Sequence, residues 1–196
     1  AASYAQQLAS KYNTYAATRS FETTAGDTVK IGGGDYGWVI NKKGEAAQIV
    51  EDIKNGESVT REPKYEQRAF VEGADDIGNT YIEIDYTNQH LWYYKDGSLV
   101  VDSDIVSGNL NNGNGSPDGV FKVISRQSPA TLKGEDYESD VTYFMPFAYN
   151  VGLHDASWRS SFGGSIYKNG GSHGCINLPY DAADTIYKNV ELGTPV

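Results

Sequence analysis

The chain has one cysteine, and what is scarce beside it excludes several classes at once. A lone thiol, Cys175, cannot close an intramolecular disulfide, so packing, metal ligation or nucleophilic chemistry must account for it. There is no CxxC pair, which removes the usual framework of a structural zinc site. No apolar run approaches the roughly 18 residues of a membrane helix, and no charged start followed by an apolar core marks a signal peptide. Cationic side chains are few: 16 Lys and Arg face 26 Asp and Glu, giving a net charge of -10. With no dense basic run, a phosphate backbone is excluded as partner, because that binding depends on cationic contacts that release counterions. The opening "AASYAQQ" lacks an initiator Met, which reads as a processed product or a fragment with its targeting or anchoring segment upstream.

What is present is the composition of a folded chain: 39% hydrophobic and 21% charged residues over 196 positions, room for one large domain or two small ones. Tyr4, Leu8, Tyr12 and Tyr15 recur at helical spacing and predict a helix with that face buried. "FETTAGDTVKIGGGDYGWVI" reads as short strands broken by glycines. "KGEAAQIVEDIKNG" predicts a second helix with Ala46, Ile49, Val50 and Ile53 inward and Gly56 as its stop. A shift to charged, Gly- and Asn-bearing residues between Asn55 and Asn79 places a junction near Gly73 to Gly78. The expected organisation is thus α+β, with a small α+β domain over 1–76 and a mostly β domain over 77–196.

In the second domain the period changes to two: Ile82, Ile84 and Tyr86 alternate with Tyr81, Glu83 and Asp85. Asp96-Gly97 predicts a tight hairpin turn. Further hairpins are expected in "SPDGVFKVISR" and "VTYFMPFAYNVGLHDA", and one helix in "DAADTIYKNVELG", capped by Asp181 and stopped by Gly193. The closing "GTPV" reads as strand. There is no internal repeat or low-complexity tract.

The chemistry-bearing cluster is "GGSHGCINLP", with His173 two residues before Cys175 and His154 twenty-one before it. His90, in "QHLWYY", reads as structural. A buried cysteine is most often a small hydrophobe. Two nearby histidines make a reactive Cys-His pair the better reading, since a thiolate forms near neutral pH beside a cationic neighbour or convergent N–H groups. Gly174 allows a tight turn that bares amides for an oxyanion. A zinc site built on His154, Asp155, His173 and Cys175 is the weaker use of the same residues.

"SHGCIN", Ser172 to Asn177, with seventeen residues between His154 and Ser172, resembles the signature of the YkuD-type L,D-transpeptidases. "YIEIDYTNQHLWYYKDGSLVVDSDIVSG", "SPDGVF" and "ELGTPV" are similar to further segments of that family, so the resemblance spans about Asn79 to Val196. It implies a β-sandwich of mixed sheets, secreted or membrane-tethered at the cell wall, with no cofactor and no metal. It implies Cys175 as nucleophile and His154 as base, the imidazole held by the Asp155 carbonyl. Ser172, His173 and Gly174 complete the motif, with an oxyanion on the amides of His173, Gly174 and Cys175. The implied partners are peptidoglycan stem peptides, a tetrapeptide donor that loses D-Ala and an amine acceptor, with carbapenems as acylating agents. Trp158, Tyr143, Phe144 and Met145 are expected to wall the donor groove. Many members carry Arg where this chain has Asn177, a position expected at the substrate. For residues 1–76 the resemblance suggests a peptidoglycan-binding or spacer module. A sortase needs an arginine after the cysteine, and the last one here is Arg159; papain-like wall hydrolases place the cysteine before the histidine. A wall-peptide hydrolase or carboxypeptidase and a non-catalytic wall-binding module remain as alternatives.

Overall fold

The computed structural model describes residues 1–56, 58–73, 75–134 and 137–196; Glu57 and Ala74, both in the expected junction stretch, lie outside them. In chain order, the amino-terminal unit runs α1 (Ala2–Tyr12), β1 (Arg19–Glu22), β2 (Thr28–Ile31), β3 (Val39–Ile40), α2 (Lys42–Lys54) and β4 (Tyr65–Gln67). β1 and β2 form an antiparallel hairpin, and β3 pairs with β4. The helices exist as expected, but their inward faces differ. α1 buries Ala5 and Ala9, while Tyr4, Tyr12 and Tyr15 are about half exposed. Its neighbour is another helix, α2, and small side chains let two backbones approach where a tyrosine row would hold them apart. α1 stops at Asn13, whose side chain accepts from the Ile40 amide, and the next residues pair with the strand segment instead: Thr14 N–H donates to Trp38 and Ala16 N–H to Tyr36.

α2 is capped by Asn41, which accepts from the Gly44 amide at 2.8 Å, and it ends at Gly56 with φ of 67°. Its buried residue is Glu45, not the expected aliphatic row; Val50 and Ile53 are exposed and Ala46 and Ile49 half-buried. Glu45 is tied down by Arg61 at 3.0 Å and by the Lys64 amide at 2.8 Å. A buried carboxylate with two such donors is stable where an unpaired one would not be.

From Thr80 onward β5 (Tyr81–Asp85), β6 (His90–Lys95) and β7 (Ser98–Asp104) form one antiparallel sheet. Asp96 and Gly97 make the β6–β7 turn with φ of 51° and 77°, the two positive values a type I′ hairpin requires. β8 (Ala130–Lys133) and β9 (Glu138–Val141) are a separate hairpin. β10 (Phe144–Ala148) pairs antiparallel with β11 (Val151–Asp155), which pairs in parallel with β12 (Ile176–Leu178), so this sheet is mixed. Two helices complete the unit, α3 (Ile166–Gly170), which the sequence reading does not anticipate, and α4 (Tyr180–Asn189). α4 begins after Pro179 with Asp181 inside its first turn rather than at the cap. The two three-stranded sheets and α4 enclose one apolar core that includes Leu91, Tyr93, Met145, Leu153, Ile176 and Ile186, all essentially inaccessible.

The segment around Phe121 is not a hairpin. Phe121 and Val123 exchange backbone hydrogen bonds with Val196, Thr194 and Gly193, and Pro195 accepts from Ile82 on the other side. "GTPV" is therefore the strand-like partner that fills the gap between β5 and residues 120–123.

Candidate active site

Strand alternation puts His154 on one face of β11, and the register pairs it with Asn177 on β12. One pair earlier on the same face, Cys175 stands beside Gly152, whose amide points at the thiol. Gly152 leaves that position open: a Cβ there would lie 2.4 Å from the Phe144 ring. His154, Asn177 and Cys175 thus share a face across a parallel pair whose other face is core.

The turn before Cys175 is held open from both ends by one segment. Ser172 N–H donates to Ser107 and Asn109 N–H to Ser172, at 3.0 and 2.9 Å, while Val106 and Asn177 exchange both backbone bonds. Residues 173–175 must therefore loop out of the ladder. Gly174 makes the loop possible, because its φ of 125° is a conformation side chains rarely adopt. Inside the turn Ser172 Oγ accepts from the Gly174 amide at 3.0 Å and donates to the Cys175 carbonyl. Ser116 Oγ donates to the Gly174 carbonyl at 2.6 Å and itself accepts from the Gly108 amide. Since a trans peptide points its C=O and N–H in opposite directions, Ser116 aims the Cys175 amide away from itself.

His154 is buried, and its Nδ1 donates to the Asp155 carbonyl at 2.8 Å. Its Nε2 accepts from Asn177 Nδ2 at 3.0 Å, and Asn177 Oδ1 accepts from Arg159 Nε at 2.7 Å. Burial pushes the imidazole below its ordinary pKa, against the Asp155 carbonyl and carboxylate, which pull it up. Burial likewise pushes the Cys175 thiol up, partly offset by the Gly152 amide. Both effects disfavour charge. Both directions favour a neutral thiol and a neutral imidazole at rest. The thiol donates to the Asn150 carbonyl at 3.9 Å.

The other expected residues divide. Trp158, half exposed, lies 5.9 Å from the His154 ring, and Phe144 6.5 Å from it. Met145 is fully buried; it pairs with Leu153, so its side chain joins the core and lines no groove. Tyr143 points to α4, where its hydroxyl donates to Asp184 at 2.6 Å and its ring packs on Tyr187. The Asp155 carboxylate is spent on the Thr142 and Tyr143 amides. Asn177 is 2% exposed and meets His154 rather than an open groove. His173 is exposed and stacks on Tyr137 of the β8–β9 turn, ring centroids 4.3 Å apart. His90, on β6, bonds Asp102 and Asp104 of the adjacent strand β7, away from this site. Neither Ser116 nor Arg159 is picked out by the sequence as a site residue. Among the described residues no group of three or more His, Cys, Asp or Glu could hold a metal ion.

Comparison with known proteins gives this geometry its context. The L,D-transpeptidase catalytic domain family, YkuD, matches residues 79–196, and a peptidoglycan binding domain family matches residues 1–61. No match is found among curated proteins. A solved cysteine-to-serine variant of the Enterococcus faecium L,D-transpeptidase is 39% identical, with a TM-score of 0.85 over all of this chain and 79% of its own. The catalytic domain of the E. faecium enzyme acylated by ertapenem is 48% identical over 60% of this chain and 95% of its own, TM-score 0.55. An L,D-transpeptidase from Mycobacterium smegmatis, at 24% identity and TM-score 0.52 over 60% of this chain and 57% of its own, shares the fold. With a catalytic-domain match over more than half its length and a relative this similar from end to end, the chain belongs to the YkuD L,D-transpeptidase family.

Proposed function

We propose that the protein is a peptidoglycan L,D-transpeptidase in which Cys175 carries the acyl group. The observation behind this reading is the sole thiol on an outward turn, on the same sheet face as a histidine whose Nδ1 is anchored and whose Nε2 is an acceptor. In the first step entry of the stem draws the Asn177 amide off Nε2 and frees that lone pair. Nε2 then takes the thiol proton as sulfur attacks the carbonyl of the third stem residue. The oxyanion is received by the Cys175 amide; that of Gly174 is already engaged by Ser172. Collapse breaks the peptide bond, His154 returns the proton to the departing D-Ala amine, and a thioester remains. An acceptor amine then attacks the thioester, its proton passes through His154 to sulfur, and an amide cross-link between stems is formed. Ser172 holds the turn, Trp158 and Phe144 flank the imidazole, and the chemistry calls for no cofactor or metal.

Similarity to an ertapenem-acylated relative extends the same thiol to carbapenem rings. Residues 1–76 act as the peptidoglycan-binding or spacer module and 77–196 as the catalytic domain, the former supported by the match over residues 1–61. A peptidoglycan substrate puts the protein's work at the cell wall, on the extracellular face. No helix among the described residues is long and apolar enough to cross a membrane.

The test is intact mass after mixing with single stems. A tetrapeptide stem is expected to give a thioester on Cys175 and free D-Ala, and a pentapeptide to give neither, because its carbonyl register misses the oxyanion donor, a loss of about 3 kcal/mol. Acylation of a Cys175→Ala protein, or equal acylation by both stems, overturns the reading. D-Ala release without cross-linked product in the presence of an acceptor amine makes the protein a carboxypeptidase.

A further inference from the structure

Asn177 is buried between two partners of unlike character, and that asymmetry removes the freedom of its amide. A guanidinium only donates. The amide oxygen must therefore face Arg159 Nε, at 2.7 Å, which leaves the NH2 group for His154. An NH2 group only donates as well, so the Nε2 it meets at 3.0 Å has to offer a lone pair. At the far side of the ring Nδ1 must then carry the proton it donates to the Asp155 carbonyl at 2.8 Å. From Arg159 through Asn177 and His154 to Asp155 the bonds run in one direction, and reversing any one of them strands a donor against a donor.

We propose that Arg159 is a positioning residue of the acyl-transfer site, which through Asn177 keeps His154 neutral, in the Nδ1–H tautomer, with Nε2 ready to receive the Cys175 proton. This rests on the reading of His154 as the base. Protonating Nε2 at rest would force the Asn177 amide to flip its NH2 against the guanidinium. The thiol of Cys175 has no such obstacle once substrate has displaced Asn177, because the amide stays with Arg159.

Among the described residues, the charged and titratable groups next to the imidazole are Asp155, Arg159 and Cys175. Asp155 on the same strand favours the cation, but its carboxylate is already bound by the Thr142 and Tyr143 amides. Arg159, on the turn after β11, opposes it. Cys175 leads into β12, and burial pushes its own pKa up, against charge. The facing residues Phe144 on β10 and Trp158 beyond β11 are uncharged. Burial and Arg159 together outweigh Asp155, and the imidazole lies below its ordinary value.

The test reads His154 directly by nitrogen and carbon NMR of its ring, in the full chain and without substrate. The wild-type protein is expected to show a single Nδ1–H tautomer. Arg159→Met is expected to raise the His154 pKa by about one unit, to mix its tautomers, and to lower kcat for stem acylation about tenfold with KM unchanged. Arg159→Lys, which keeps a cationic donor, should return the pKa towards wild type. Asn177→Asp places a carboxylate at Nε2 and should raise the pKa by more than Arg159→Met does. An unchanged tautomer and pKa in folded Arg159→Met overturns the proposal, whatever the activity does. If Arg159→Met does not fold, Asn177→Asp decides, and an unmoved His154 pKa there overturns it. Absence of a thioester on wild-type Cys175, by contrast, sinks the acyl-transfer reading and leaves the tautomer result standing.

Discussion

Burial acts on Cys175 and His154 in the same sense, and the sign of the resulting pH behaviour follows from that. A thiol is neutral when protonated, so desolvation raises its pKa; an imidazole is neutral when deprotonated, so desolvation lowers its pKa. Both directions favour a thiol and a free base in the resting site at neutral pH, which on the proposed mechanism leaves ionisation to the substrate complex. Two limbs are expected. Alkylation of the resting protein by iodoacetamide should rise with pH through a midpoint above the ordinary thiol value of about 8.5. Acylation by a stem peptide or carbapenem, which needs only neutral His154, should persist down to a limb below about 6.5. An alkylation midpoint near 6 without substrate would mean a preformed ion pair and contradict this account. The motif residues themselves were legible, because a thiol, a glycine turn and a preceding histidine are local statements of chemistry. The charge state was not, since it depends on how deeply two separate strands bury their partners.

At the level of elements, the Cys175 turn is shaped by segments far from it in sequence. Residues 106–109 bind both of its ends, and Ser116 anchors the Gly174 carbonyl across a separation of 58 positions. Ser116→Ala removes two hydrogen bonds, one from the peptide plane whose other side is the proposed oxyanion donor and one from the Gly108 amide. The expected result is a fall in kcat of about tenfold with KM held, read by single-turnover acylation, and a loss of stability of about 1–3 kcal/mol. A rise in KM with kcat intact would assign Ser116 to substrate binding instead. Such contacts explain where a reading of the chain stops. The Asp96-Gly97 turn and the β10–β11 hairpin declare themselves in a few consecutive residues. Nothing local to "SPDGV" states that its serine will meet Gly174, and nothing in "ASWRSS" states that Arg159 will meet Asn177. The pairing of residues 120–123 with the carboxyl-terminal segment was missed for the same reason: each half reads as strand, and only the fold chooses the partner.

Across the whole molecule two apolar clusters meet at Val120, which belongs to the β-rich part yet lies among Tyr36, Trp38, Ala69 and Ile77. The backbones touch there: a Cβ on Gly34, at φ of 77°, would sit 2.0 Å from the Val120 carbonyl, so no other residue fits. The helix faces of the amino-terminal unit were misjudged from periodicity because this unit is organised around that junction and around polar ties rather than around an aliphatic stripe. Chief among the ties is Arg19, which grips both oxygens of Asp76 at 2.7 Å while Asp76 also accepts from Thr14. Asp76 is 1% exposed, and Tyr36 donates to its carbonyl. Asp76→Ala would leave a nearly buried guanidinium without its carboxylate, a loss of about 3 kcal/mol. If the units unfold together, that loss lowers a single thermal transition by roughly 6–12 °C, and amide exchange should accelerate about a hundredfold both at Tyr36–Ile40 and at Phe121–Val123. Hydrogen exchange read by mass spectrometry separates the outcomes. Acceleration confined to the amino-terminal segment, with Phe121–Val123 unchanged, would show that the catalytic part is stable without its neighbour and that the shared Val120 contact couples nothing.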